Sequence, residues 1–177
     1  MTLSFSRIWP NRLPSHMAGK PNYFPEKILK GMLWEFLEKK NESFSEVPSY
    51  VYDYGMRFGA DYVAKIDGIV RESRPKLHTL RADPPSRWGA GNDIHFVINN
   101  RTSDRYQFAP VVKCVSVQEI LIDPNGFFRV IVDGKRLDDS DIMRLVINDG
   151  FDFVEDFFHW FDQPFKGKII HWTDLKY

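Results

Sequence analysis

Residues 76–83, KLHTLRAD, set an amine, an imidazole, a hydroxyl, a guanidinium and a carboxylate among two leucines, directly after Pro75. Such a set is either the wetted side of an amphipathic strand or a group of side chains gathered round a ligand. The second reading has definite chemistry. Thr79 can supply a hydroxyl nucleophile, but an isolated hydroxyl at its ordinary pKa attacks poorly and needs a base beside it. A desolvated lysine has a lowered pKa and can take that proton as a neutral amine, which suits Lys76. Arg81 stays charged and can hold a carbonyl or phosphate oxygen. Side chains 76 and 79 of an ideal strand point to opposite faces, so Lys76 has to sit in the turn before the strand. Pro75 favours that placement, having no backbone donor to pair, while Thr79 and Arg81 share a face.

A carboxylate comes from far along the chain. Asp149 falls at the C-terminal end of a predicted helix, where the macrodipole disfavours negative charge by about 0.3–1 kcal/mol. A lysine across a cleft would compensate it; the competing reading is an Asx turn into the next segment. Lys76, Thr79 and Asp149 are therefore the candidate catalytic residues. His78, Arg81, Trp88 and Arg101 are the candidate substrate-binding residues. Trp88 either stacks on a nucleobase or covers one end of the sheet structure. Arg101, in NNRTSDRY (99–106), either reaches a base edge or belongs to a solvated hairpin loop. The five histidines never fall in a metal-ligand spacing, and one cysteine gives no zinc set, so neither a metal nor a cofactor is expected. GKPNYF (19–24) lacks the context of a phosphate loop.

The elements that must position these groups read as α+β. LSFSRIW (3–9) alternates as a first strand and halts at Pro10, and a proline-rich loop follows. Ile28, Leu29, Met32, Leu33, Phe36 and Leu37 recur on one face of a helix over Glu26 to Lys40, with Pro25 in the first turn. A second helix is expected from Tyr50 to Lys65. The pattern then turns to strand at 92–100, 105–123 and 127–137, with Asp133-Gly134 as a hairpin turn. Two helices follow, over 138–147 with Ser140 as N-cap, and over 152–164 with Asp152 and Glu155 in capping-box spacing. Phe153, Phe157, Trp160 and Phe161 form the core stripe of the latter. GKIIHWTDL (167–175) is a last strand. The sum is a single domain over 1–177, a small, mostly antiparallel barrel flanked by helices, with 10–70 as a loop and helical insertion after the first strand.

Composition narrows the function. The 177 residues are 43% hydrophobic and 15% aromatic, ample for a core. Twenty-four basic and 24 acidic residues balance, which removes a global basic field for long nucleic acid. No apolar run approaches a membrane span, and a soluble, cytoplasmic protein is expected.

Lys76-x-x-Thr79-x-Arg81, the strand from Gly91 to Ile98, Asp149-Gly150-Phe151 before an acidic-aromatic helix, and the opening LSFS together resemble the ASCH domain of the PUA-like β-barrel superfamily. The resemblance covers about residues 70–177 and the first few. It implies a barrel with a cleft beside a helix, suited to a modified nucleoside or an RNA base. It is similar in particular to a branch of amidohydrolases acting on N4-acetylcytidine, whose lysine, threonine and acid fall on Lys76, Thr79 and Asp149. Arg74 stands where many members have glycine, and Asp149 is one methylene shorter than that branch's glutamate. The alternatives are a non-catalytic RNA- or nucleotide-binding module, with Lys76 and Arg81 on phosphate, and an interaction module whose region 20–70 docks on a protein partner.

Overall fold

The computed structural model describes residues 1–40, 48–58, 74–83, 86–127 and 129–177, and for 34–40 the backbone alone. The order is β1 (Thr2–Ser4), α1 (Phe24–Lys40), α2 (Ser49–Phe58), β2 (His78–Arg81), β3 (Asp93–Ile98), β4 (Tyr106–Gln107), β5 (Val112–Lys113), β6 (Ser116–Ile122), β7 (Val130–Val132), β8 (Lys135–Arg136), α3 (Asp139–Asn148), α4 (Val154–Trp160) and β9 (Phe165–His171). The class is α+β. Residues 59–65 of the expected second helix lie outside the described residues.

Strand pairing among the described residues gives two sheets rather than one closed ring. In the first, β3 pairs with β1 in parallel and with β4 and β5 antiparallel; the second is antiparallel in the order β2-β9-β6-β7-β8. The apolar run expected as one long strand over 105–123 is three, because the chain changes partner: Cys114 N–H donates to the Asn92 carbonyl at 2.8 Å, and the next amide, Val115, donates to His171 at 2.8 Å. That step carries it from the first sheet to the second. β1 keeps the expected alternation, with Leu3 and Phe5 buried and Thr2, Ser4 and Ser6 exposed. Asp133 and Gly134 have φ of 49° and 79°, the two positive values of a type I′ hairpin turn between β7 and β8.

α1 begins two residues before its expected start because the Asn22 side chain accepts from Phe24 N–H at 2.9 Å, and Pro25 occupies a first-turn position that needs no donor. Ile28, Leu29, Met32 and Leu33 are buried as the periodicity requires, yet Glu26, Lys27 and Lys30 are buried too. The N-terminal half of α1 is thus enclosed on its polar side, and each of those charges needs company. The Tyr54 hydroxyl donates to Glu26 at 2.8 Å, while burial raises the Glu26 pKa. No helix among the described residues is long and apolar enough to cross a membrane.

Two caps differ from expectation. Asp138, not Ser140, caps α3: its carboxylate accepts from Asp141 N–H at 2.8 Å and from the Ser140 hydroxyl at 2.7 Å, and a carboxylate is the stronger acceptor at a helix N-terminus. The capping box of α4 does not form, because Asp152 is drawn to Lys27 and Phe153 takes the cap position without a side-chain bond. Phe153 is correspondingly 65% exposed, while Phe157, Phe158 and Phe161 fill the core.

Candidate functional site

β2 is an edge strand of the second sheet, and the segment before it runs without regular structure between α1 and α3. Lys76 N–H donates to the Lys27 carbonyl of α1 at 3.0 Å and Leu77 N–H to the Asn148 carbonyl of α3 at 2.8 Å. Two backbone bonds thereby fix Lys76 in the irregular segment ahead of the strand and aim it at the end of α3. Its amine donates to Asp149 Oδ1 at 2.6 Å and also to the Asp149 carbonyl, and it lies 4.7 Å from the centre of the Phe24 ring. Gly150 makes room for this: its φ is +90°, and a Cβ there would lie 3.1 Å from Lys76 Cδ and 3.2 Å from Phe24 Cδ1. The shorter acid therefore still reaches the amine.

The pair is enclosed, with side chains 1% and 6% exposed. Burial brings the Lys76 amine down to about 8, against the pull of Asp149 upward. Burial also pushes the Asp149 carboxyl up, but its neighbours, the Lys76 charge foremost, hold it below the ordinary carboxylate value. At neutral pH the two form a buried ion pair. Its worth depends on both partners remaining, because desolvation of each charge is offset only by the other.

His78 joins them. Its Nδ1 lies 3.6 Å from Asp149 Oδ1, and its Nε2 meets the Tyr177 hydroxyl at 2.8 Å. Asn148 donates to the same hydroxyl at 3.1 Å, and Tyr177 exchanges backbone bonds of 3.0 Å with the Gln118 amide in both directions. Burial lowers the pKa of His78, so its imidazole is neutral near pH 7.

The structure thus brings Lys76, His78 and Asp149 into one cluster. Thr79 follows His78 in the strand and leaves the opposite face, where it is buried beside the half-buried side chain of Arg81. The Arg81 guanidinium donates to the Ser4 carbonyl at 2.7 Å and sits 4.9 Å from the Phe5 ring, tying the second sheet to the first. Trp88 is 7% exposed and lies in the core, its backbone N–H donating to the Asp83 carboxylate at 2.8 Å. Arg101 lies on the exposed turn between β3 and β4 at φ 68°.

No family model, no curated protein and no solved structure matches the chain. What the cluster can do depends on its surroundings. A depression of about 560 Å³ between the 74–75 segment and α3 is lined by Arg74, Pro75, Met143, Arg144, Ile147 and Asn148. Pro75 and Asn148 are the chain neighbours of Lys76 and Asp149, so this ligand-sized hollow lies next to the buried pair. Asp139 and Ser140 complete the lining, and of the two arginines Arg144 also donates to Asp141 at 3.1 Å, which leaves Arg74 as the better placed to meet a phosphate.

Lys27, His171 and Tyr177 belong to the polar interior and escaped the sequence reading. Lys27 lies on the side of α1 that periodicity assigns to solvent. His171 is recognisable only once β9 is known to pair with β2 in the register that sets it opposite His78.

Proposed function

We propose that this protein is an ASCH-type, PUA-like domain that binds a modified nucleoside or an unpaired RNA base beside the Lys76–Asp149 pair, with phosphate taken by Arg74. The observation that carries this reading is the pair itself: an amine and a carboxylate from segments 73 residues apart, buried together next to a mostly apolar hollow that Arg74 and Arg144 flank. A well-packed apolar pair of similar volume would serve stability as well or better, so folding alone gives little reason for it. The barrel half of the reading is supported by the strand switch at Cys114–Val115, which carries the chain from the first sheet to the second, and by Arg81 of the edge strand β2 bridging to Ser4 of β1.

A second reading, hydrolysis of an amide on the base, is favoured by the lowering of the Lys76 amine to about 8, which leaves a fraction neutral near pH 7. In that reaction the Thr79 hydroxyl adds to the acyl carbon as Lys76 accepts its proton. The base amine departs carrying that proton, and water then releases the acid from Thr79. Because Thr79 leaves β2 on the other face from His78, this route requires β2 to shift when substrate enters.

Calorimetric titration with N4-acetylcytidine, cytidine and a short single-stranded RNA tests the first reading, and chromatography for cytidine and acetate tests the second. Saturable binding that Lys76→Met weakens at least tenfold is expected, in protein shown to be folded by circular dichroism. Absence of binding to all three ligands refutes the site. Binding without product in wild type removes the hydrolase and leaves the binding module.

A further inference from the structure

One row of the second sheet is polar across three strands. His78 of β2 stands opposite His171 of β9, and His171 stands opposite Ser116 of β6, so the three side chains leave one face. Both histidines are fully buried, and their ring centres are 5.3 Å apart. Among the described residues nine buried side-chain nitrogen or oxygen atoms lack a protein partner, and four of them belong to this row: His78 Nδ1, both ring nitrogens of His171 and Ser116 Oγ. The 3.6 Å from His78 Nδ1 to Asp149 is too long for a hydrogen bond.

Folded proteins rarely leave one buried polar atom without a partner, and four in a single row call for a common cause. The chemistry of the atoms selects it. A neutral imidazole offers one donor and one acceptor, and a hydroxyl offers both, so the missing partner must donate and accept. An anion only accepts, and the Asp149 carboxylate beside His78 repels it. A metal ion would need more ligands, and the described residues contain no group of three or more His, Cys, Asp or Glu able to hold one. A small neutral molecule with donors and acceptors remains, and the smallest of these is water.

We propose that His78, His171 and Ser116 form a binding site for ordered internal water, which links the Lys76–Asp149–His78 cluster to β6. The site stands whether or not the nucleoside reading does, since it rests on the sheet register and the partnerless atoms alone. Burial next to His78 brings His171 down to about 3, so the imidazole keeps its donor and its acceptor throughout the neutral range.

Water-to-protein magnetisation transfer in the isotope-labelled full chain tests the site at the ring protons of His171. NOE and ROE cross-peaks to water of opposite sign are expected, the signature of a molecule that stays longer than the protein takes to tumble. Ser116→Ala separates water from an exchanging hydroxyl: with His78 and His171 still holding the water, the cross-peaks weaken but remain if water is the source and vanish if the serine is. In His171→Phe, oxygen-17 relaxation dispersion should lose the amplitude of at least a single long-lived water; should that variant fail to fold, the wild type and Ser116→Ala decide. Missing cross-peaks in wild type, their loss in Ser116→Ala, unchanged dispersion in folded His171→Phe, or stoichiometric zinc binding that shifts both rings would each overturn the proposal.

Discussion

Two lysine–aspartate pairs flank the same turn, and only one is closed off from water. Lys76 donates to the carbonyl and carboxylate of Asp149, while Lys27 donates to the Gly150 carbonyl at 2.8 Å and the Asp152 carboxylate at 2.7 Å. Both lysines are buried, with side chains 1% and 3% exposed. Their acids differ: Asp149 is 6% exposed and Asp152 63%. One turn with the same donors and acceptors thus holds a sealed pair and a half-solvated one. What separates them is where the acid falls on α3 and α4. Asp149 is the C-cap of α3 and is pinned beneath Gly150; Asp152 sits in the short connection before α4, with water at hand. The sealed pair is the one that resembles a site, because only there does each charge depend on the other.

The largest expected effect follows from that dependence. Asp149→Ala leaves Lys76 buried and uncompensated and should lower unfolding stability in urea by about 3–5 kcal/mol, whereas Lys76→Met/Asp149→Leu should recover most of the loss. Equal losses for the single and double variants would show that the pair is not coupled.

Acid should act on the sealed side next. The folded pKa values of His78 and His171 are depressed, so below the unfolded value of 6.5 the unfolded chain takes up protons first. Stability is full above that pH and falls as pH drops through 6.5, by up to about 1.4 kcal/mol per pH unit for each histidine, continuing toward about 3 for His171. His171→Phe should flatten the slope by one proton; an unchanged slope would mean that His171 is charged when folded.

Gly150→Ala touches both pairs. Its φ of +90° disfavours any side chain, and the new methyl meets Lys76 and Phe24, so a loss of about 1–2 kcal/mol is expected in thermal unfolding, with the Lys76 amine displaced more than that of Lys27. The smallest effect belongs to Asp152→Ala. Its carboxylate is mostly in water and Lys27 keeps the Gly150 carbonyl, so the loss should stay at about 1 kcal/mol or less. A loss matching that of Asp149→Ala would erase the distinction between the two pairs.

The local parts of this arrangement were legible in the sequence. Pro75 marked Lys76 as lying ahead of the strand, Asp133-Gly134 marked the hairpin, and the spacing of Ile28, Leu29, Met32 and Leu33 marked α1. Long-range facts were not legible. Nothing local says that the chain leaves β3 for β9 between Cys114 and Val115, because an alternating β-branched run looks the same beside either partner. Asp152 had the spacing of a capping box, yet a buried lysine from α1 outcompeted a backbone amide for its carboxylate. Lys27 read as solvated since helical periodicity describes one face and not what covers the other. Lys76 and Asp149 could be singled out by residue type, but their meeting depends on Leu77 bonding to Asn148, a contact that only the assembled fold supplies.

The most direct test is the affinity of N4-acetylcytidine or a short single-stranded RNA for wild type and for Lys76→Met/Asp149→Leu, the variant that keeps the packing and removes the charges. Saturable binding by the wild type and at least a tenfold weaker affinity in the double variant is the expected result. Equal affinity in the two proteins, or none in either, would contradict a ligand site at the sealed pair.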